Sequence, residues 1–369
     1  MSAPNHAARR NRLIRQLRTE QIDCLLVSSQ TNVRYLTGFT GDSTWLLVTP
    51  KECLLLSDTR FEVQLKNECP DLDAVIRTAS QSMNVCVADI IRAGRFQRIG
   101  FEAEHLTVSQ HQALQQQLGD IPAVGKSGLV EELRMIKDRW EIDQIRSAVR
   151  IAERGFGVLR SLIRSELTER QLRYRLEEAM RDFGACGTAF EPIVGVGPTA
   201  AMPHAHAGDR TVAEHPALLI DWGAQTFTGY RSDLTRVLVT SKPTRQVQQV
   251  YEVVLEAQQA AKAAFRPGMT GRMLDAVARE VITEAGFGEY FGHSLGHGIG
   301  LDIHESPRVS PTSDQILRPG MVITVEPGIY LPGKFGVRIE DDVLITATGG
   351  EILTSVPKEF DQAVLEYLA

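Results

Sequence analysis

Four carboxylates recur at matched positions in two stretches of the chain. Asp221 and Asp233 lie in "DWG" and "RSD", and Glu326 and Glu340 lie in "EPG" and "RIE". Each acid is set among aliphatic residues, in "PALLIDWGA", "YRSDLTRVLVT", "GMVITVEPGIY" and "VRIEDDVLIT", and each is therefore expected to be buried. A buried carboxylate is costly unless it is paired or ligates a metal. Converging acids also raise one another's pKa values unless positive charge compensates them. Arg231 and Arg338 offer part of that charge, in which case the acids form ordinary salt bridges; two divalent cations would cancel all of it. The number of acids and their symmetry favour the cations.

The segment "GHSLGHGIGLDIHESP" adds His293, His297 and His304. The first two have the i, i+4 spacing of a helical zinc pair, but glycines at 292, 296, 298 and 300 argue against a helix there. Four carboxylates with one imidazole make a hard, sulfur-free donor set suited to Mn(II), Co(II) or Fe(II), with Zn(II) also possible. Two such ions about 3.5–4 Å apart hold a water or hydroxide between them as nucleophile, which implies hydrolysis of an amide or a phosphate ester. P-loop, G-x-S-x-G and Cys–His signatures of other chemistries are not found.

These residues require elements that bring them together. "LTERQLRYRLEEAMRDFG" opens with Thr168 and Gln171, a capping box ahead of an amphipathic helix. "MTGRMLDAVAREVITEAGFG" repeats the pattern with Thr270 as cap. A glycine-rich segment bearing histidine follows each helix, and two strands carrying the acids follow that. An internal duplication of helix and hairpin, related by an approximate twofold, brings the four acids to one centre.

The rest of the chain bounds the reading. At 369 residues two domains are the natural expectation. Short strands, "DCLLVS", "TWLLVT", "ECLLLSD" and "RIGFEAE", alternate with helices in "RRNRLIRQLRTEQ", "QSMNVCVADIIRAG" and "VSQHQALQQQLG". This predicts an α/β domain over residues 1–130 and a catalytic domain over residues 131–369, with the boundary between Val124 and Leu133. A composition of 43% hydrophobic and 23% charged residues fits a soluble protein, and no apolar run approaches a membrane span. Basic residues near the N-terminus precede no apolar segment, which argues against a signal peptide. Five scattered cysteines without a C-x-x-C pair point to reduced thiols in a cytoplasm. A net charge of −6 offers no footprint for nucleic acid.

The residues also resemble a family. "FEPIVGVGPTAAMPHAHAGD", "LLIDWGAQTFTGYRSDLTRV", "GHSLGHGIGLDIHESP", "GMVITVEPGIY" and "GVRIEDDVLIT" are similar to the motifs of the pita-bread metallopeptidases, in the proline-directed branch of Xaa-Pro dipeptidases (prolidases) and aminopeptidases P. "NVRYLTGFTGD" and "SDTRFEVQ" resemble that branch's first domain. The resemblance implies an α+β architecture: a pita-bread fold of two pseudo-symmetric helix–hairpin halves, preceded by a smaller α/β domain. It implies a dinuclear site, most naturally manganese, in which Asp233 and Glu340 bridge the metals, Asp221 binds one, and His297 with Glu326 binds the other. A metal-bridging hydroxide would then attack the peptide bond before a proline at P1′. His304 would hydrogen-bond the scissile carbonyl or its oxyanion, and His293 and His204 would contact substrate around the proline subsite. Glu326 would shuttle the proton to the leaving amine, and Arg338 would orient the surrounding network. Members commonly dimerise, which makes "GFTGDSTW" a candidate to approach a partner's site.

One departure is the spacing of Asp221 and Asp233, twelve positions rather than the family's usual eleven. An extra turn residue in "AQTFTGY" absorbs it without moving either ligand, whereas a register slip would turn Asp233 to the wrong face. Of the other histidines, His206 reads as a solvated loop residue, His215 as a turn residue, and His6, His105 and His111 as surface residues. Tyr230 and Phe190 read as packing residues beside the pocket. Three rival readings share the fold: a methionine aminopeptidase, a metal-independent creatinase-like amidinohydrolase, and a catalytically silent binding module. The size of the first domain argues against the first, and the complete ligand set against the other two.

Overall fold

Capping threonines begin the two helices that the duplication predicts. Thr168 accepts from Gln171 N and closes a capping box, and Thr270 accepts from Met273 N. The computed structural model describes residues 3–240, 242–266 and 268–365. They form two compact units, one from Ala3 to Arg134 and the other from Met135 onward.

The first unit is an α/β layer built on a mixed sheet. Its elements are α1 (His6–Thr19), β1 (Cys24–Val27), α2 (Gln30–Thr37), β2 (Trp45–Val48), β3 (Cys53–Asp58), α3 (Glu62–Glu68), β4 (Asp73–Arg77), α4 (Met83–Ala93), β5 (Ile99–Glu102), α5 (Val108–Leu118), β6 (Ala123–Lys126) and α6 (Leu129–Met135). The strand order is β4-β3-β2-β1-β5-β6. β2 runs antiparallel to both its neighbours, β1 and β3, while β4, β5 and β6 join in parallel. Leu26, Leu47 and Leu56 from the sheet pack with Val87, Ile91 and Leu114 from α4 and α5. The stretch read as a boundary, Val124 to Leu133, contains most of β6 and α6, and the units divide just after it.

The second unit repeats one plan twice. α7 (Arg139–Leu162) packs on α8 (Glu169–Asp182), and these precede β7 (Gly187–Thr188), β8 (Ile193–Val196), β9 (Ala217–Trp222), β10 (Ala224–Gln225) and β11 (Leu234–Val239). α9 (Arg245–Ala264) then packs on α10 (Gly271–Glu284), ahead of β12 (Gly296–Gly298), β13 (Glu305–Val309), β14 (Val322–Val325), β15 (Gly328–Leu331), β16 (Phe335–Arg338) and β17 (Asp341–Ile345). The short β18 (Gly350–Ile352) and α11 (Phe360–Ala363) follow. The sheets are ordered β11-β9-β8 and β13-β12-β14-β17-β18. An isolated antiparallel bridge between Thr235 and Glu340 joins the two halves. This is the α+β pita-bread architecture that the resemblance implies, with the two helix–hairpin halves that the duplication predicts.

Strand alternation sets which residues face the centre, because successive side chains point to opposite faces. Leu218, Ile220 and Trp222 of β9 enter a core with α7 and α8. Ala217 and Leu219 face the other way into the core with α9 and α10. Asp221 continues that second row, and Asp233 and Thr235 share the parity of Val237 and Val239. In the other half Ile323, Val325, Val337 and Val343 take the core. That leaves Thr324, Glu326, Arg338, Glu340 and Asp342 on the face away from it.

Candidate metal centre

The register of the first hairpin runs unbroken from the acid to the tip. Asp221 pairs with Thr235, Trp222 with Leu234 and Gln225 with Arg231. The tip is closed by Thr226 N to Tyr230 O and by Gly229 N to Thr226 O, both 2.9 Å, with Gly229 at φ 91°. The twelve-residue spacing is thus taken up in the turn, and Asp233 keeps its face. In the second hairpin Val325 pairs with Asp341 and Gly328 with Arg338, so Glu326 stands opposite Glu340. Acid faces acid there, whereas in the first hairpin Asp221 faces a threonine. The offset between the hairpins is two residues, an even number, which leaves every acid on the same side. Close approach of the strands excludes side chains at two glycines. A Cβ on Gly223 would lie 1.9 Å from Ser232 O, and one on Gly296 would lie 2.0 Å from Thr324 O.

The acids converge as the sequence predicts. Asp221, Asp233 and Glu340 are buried, and Glu326 is largely so. Ligand atoms of Asp233, His297 and Glu340 all lie within 4.8 Å of one another. His297 Nε2 is 3.3 Å from Glu326 Oε1 and 3.7 Å from Asp233 Oδ2. His297 Nδ1 lies 3.0 Å from Gly298 O, a bond that leaves Nε2 aimed at the acids. Each hairpin also supplies a threonine: Thr235 donates to Glu340 Oε2 at 2.6 Å, and Thr324 donates to Glu326 Oε1 at 3.0 Å.

Electrostatics show an excess of negative charge. Burial, then Glu340 and Asp221, push the Asp233 carboxyl well above the usual range. Burial and Glu326 do the same to Glu340. Burial also raises Asp221, against the pull of Arg338. Burial, the largest influence, would raise Glu326 too, but the hydrogen bond and charge of His297 with the charges of His293 and Arg338 together outweigh it and hold the carboxyl at about 2. Conversely burial, the largest influence, disfavours charge on His297, yet Glu326, the Gly298 carbonyl and Asp342 together outweigh it and raise the imidazole. Arg338 donates to Asp221 Oδ2, to Thr235 Oγ1 at 3.0 Å and to Tyr330 Oη at 2.6 Å. Asp221 Oδ1 is buried with no hydrogen-bond partner among the described residues. An orphaned carboxylate oxygen beside three acids and an imidazole, with no sulfur, fits hard divalent cations.

The remaining histidines fall into different places. "GHSLGHGIG" is not helical: Gly296–Gly298 is a strand. The ring of His304 meets that of His297 edge-on at 4.4 Å, so this residue borders the acids. His204 is exposed and near enough to lower the pKa of His304, which burial lowers most. His293 lies with Nδ1 2.8 Å from Ser294 O and Nε2 2.9 Å from Tyr330 Oη. His206 is exposed, 3.7 Å from Glu191. His215 accepts from Ala217 N at 3.1 Å, and its ring packs 5.6 Å from Phe335.

Several expectations need correction. Arg231 matches Arg338 in the duplication but does not neutralise the acids: its Nη1 donates to Ala189 O at 2.6 Å. His6 and His111 are half-buried rather than surface residues, whereas His105 is exposed as expected. His6 is 3.1 Å from Tyr35 O, His105 is 3.1 Å from Glu131, and His111 stacks 4.7 Å from Phe101. Tyr230 is a packing residue, with its hydroxyl donating to Glu141 at 2.8 Å, and Phe190 is half-buried. Sequence reasoning also missed Tyr330, Thr235, Thr324 and Asp342. Burial pushes Asp342 up to about 8, and its Oδ2 accepts from Asp233 N at 3.1 Å. The only available signal was parity, since all four share the face of the acids.

A pita-bread fold whose two hairpins bring four acids and an imidazole to one buried centre defines a metal-dependent hydrolase. The chain belongs to metallopeptidase family M24, which matches residues 143–347, and residues 9–136 match the creatinase/prolidase N-terminal domain. It is accordingly a peptidase. An uncharacterized peptidase of Bacillus subtilis strain 168, YqhT, is 37% identical over 338 residues, covering 92% of this chain and 95% of its own. Among solved structures, a Xaa-Pro dipeptidase from Bacillus anthracis superposes with a TM-score of 0.93 at 37% identity, covering 98% of this chain and 100% of that one. An X-Pro aminopeptidase from Thermotoga maritima MSB8 gives 0.86 at 39% identity, covering 94% and 99%. The prolidase from Pyrococcus horikoshii OT3 gives 0.89 at 33% identity, covering 96% and 99%.

Proposed function

We propose that the chain is an exopeptidase that hydrolyses the peptide bond before a proline, as a Xaa-Pro dipeptidase or Xaa-Pro aminopeptidase. The observation that carries this reading is the cluster of Asp233, His297 and Glu340, with Glu326 beside His297 and Asp221 close enough to repel the other acids, in a chain whose structural neighbours are named for Xaa-Pro cleavage. These five residues would hold two divalent ions, Mn(II) foremost, with Co(II), Fe(II) or Zn(II) as alternatives. When bound, such ions supply Lewis acidity and a hydroxide nucleophile at neutral pH.

The chain's own residues do the rest. Asp233 and Glu340 would be shared between the two ions; each is tied to the opposite hairpin, Asp233 through its N–H to Asp342 and Glu340 through Thr235. Arg338 orients Asp221 and balances its charge. His304, edge-on to His297, would donate to the scissile carbonyl as charge develops on it. Glu326 would carry a proton to the leaving nitrogen. His204 and His293 would contact substrate around the proline; both ring nitrogens of His293 have protein partners, so it offers substrate its ring carbons. A peptide bond to proline has no N–H and carries a ring on its leaving nitrogen, so such a subsite needs apolar walls rather than an acceptor.

The division at Arg134 supports the two-domain reading, a first domain to about residue 130 and a catalytic domain after it. Five unpaired cysteines support a cytoplasmic location. A homodimer follows from the family resemblance, with Gly38–Trp45 as the segment to probe.

Assay of Xaa-Pro dipeptides beside Xaa-Pro-Yaa tripeptides, with Mn(II) or Co(II) added, tests the proposal. Cleavage confined to dipeptides identifies a dipeptidase, and cleavage of the tripeptides an aminopeptidase. Activity on Met-Ala substrates alone overturns the proline assignment.

A further inference from the structure

Residues 291–295, which carry His293, belong to no helix or strand, so no regular ladder fixes their backbone. Beside Glu326 N to Leu295 O at 2.8 Å and Phe291 N to Gly288 O at 3.4 Å, an ion pair on α10 holds it. Asp275 is fully buried, and Arg279 stands one turn later on the same face. The carboxylate takes Arg279 Nε at 2.8 Å and Nη2 at 3.0 Å. The guanidinium then donates to Phe291 O at 2.9 Å and to His293 O at 2.8 Å. Asp275 Oδ1 also accepts from Leu295 N at 2.9 Å. Three alternate residues of the segment are thus gripped by two side chains.

The grip reaches the imidazole. Arg279 lies 4.2 Å over the Phe291 ring, and that ring meets His293 edge-on at 5.1 Å. Tyr330 holds His293 Nε2. The ring is therefore fixed by packing at its edge and by a hydrogen bond at its tip, while its backbone is tied to α10. A planar fork is needed to bond two carbonyls and a carboxylate together, which lysine cannot reproduce.

We propose that Asp275 and Arg279 are positioning residues for substrate binding, acting through the backbone of residues 291–295 to place His293. This rests on the reading of His293 as a substrate contact. A double-mutant cycle with Arg279→Met and His293→Ala tests it, read as kcat/KM on a Xaa-Pro substrate with metal content measured in every variant. Arg279→Met is expected to lower kcat/KM about tenfold in the parent and less than twofold in the His293→Ala background. An equal loss in both backgrounds overturns the proposal while leaving the role of His293 standing. Full activity of His293→Ala withdraws that role and the proposal with it. Should Arg279→Met fail to fold, Asp275→Asn, which preserves shape and the acceptor for Leu295 N, enters the same cycle with the same expected loss. A fall in metal content that accounts for the lost activity overturns the proposal as well.

Discussion

Thr235 donates its hydroxyl to Glu340 at 2.6 Å across the line where the two hairpins meet. The same oxygen accepts from Arg338 Nε at 3.0 Å, and Arg338 in turn holds Asp221. One hydroxyl therefore orients an acid of the second hairpin directly and an acid of the first through an arginine. Groups that orient metal ligands typically change affinity by about 10–100-fold when removed. We expect Thr235→Val, close to isosteric, to weaken Mn(II) binding by that factor, and Thr235→Ser to retain it. Titration against a competing chelator measures both. Equal affinity in all three proteins would remove Thr235 from this role.

Metal removal should expose the strain of gathering Asp221, Asp233, Glu326 and Glu340. A ligand that binds only the folded state adds about 2.7 kcal/mol of stability at a hundredfold excess over its Kd. Chelation is therefore expected to lower Tm, and Mn(II) to restore it. Asp233→Asn should lose both the response and turnover while its circular dichroism stays unchanged. Near-normal turnover in that variant would refute the site.

The metal-centre acids are legible in sequence because burying charge requires a reason, and the duplication supplies the same reason twice. Tyr330 is not legible: an aromatic in "GIYL" reads as strand packing, and only distances to Arg338 and His293 reveal its hydroxyl. Arg231 misleads in the opposite sense, since its position matches Arg338 while its guanidinium goes to a carbonyl. Local pattern cannot decide which partner a long side chain reaches. In the first unit α2 and α3, at 8 and 7 residues, are too short to show a helical period. β4 is an edge strand whose first two residues are exposed, so it lacks the apolar run that marks β1 and β3.

Asp58, at the end of β3, offers a test remote from the metal centre. It accepts from Arg60 Nε and Nη2, both at 2.9 Å, and from Arg77 Nη2 at 3.0 Å. The Arg60 hydrogen bonds lead in lowering its pKa from 3.8 to about 2. A carboxyl depressed on folding stabilises above its unfolded pKa, and the contribution is lost as pH falls through the folded value. It is expected to be on the order of 1 kcal/mol, because Arg60 is largely exposed and screened by solvent. Urea denaturation of Asp58→Asn should show this deficit at pH 6 and little at pH 2. The same deficit at both would assign the effect to shape rather than charge.

Glu169 is a carboxylate of the first half that secures a histidine loop, from a helix position different from that of Asp275 in the second. It opens α8, is 1% exposed, and its two oxygens accept from Val196 N and Gly208 N, each at 2.8 Å. Those two groups bracket residues 197–207, the loop that presents His204. Glu169→Ala strands both donors, and a buried donor without a partner costs about 1–3 kcal/mol. Glu169→Gln keeps one acceptor but turns an amide NH2 toward the other N–H, so it repairs only part of the loss. We expect destabilisation of about 2–4 kcal/mol for alanine and about half that for glutamine, with new proteolytic cuts confined to residues 197–207. Denaturant midpoints and mass mapping of the fragments check both. An unchanged midpoint in the alanine variant would mean that other bonds suffice to hold the loop, such as Gly197 N to Ala217 O at 3.0 Å, and that Glu169 is not its anchor.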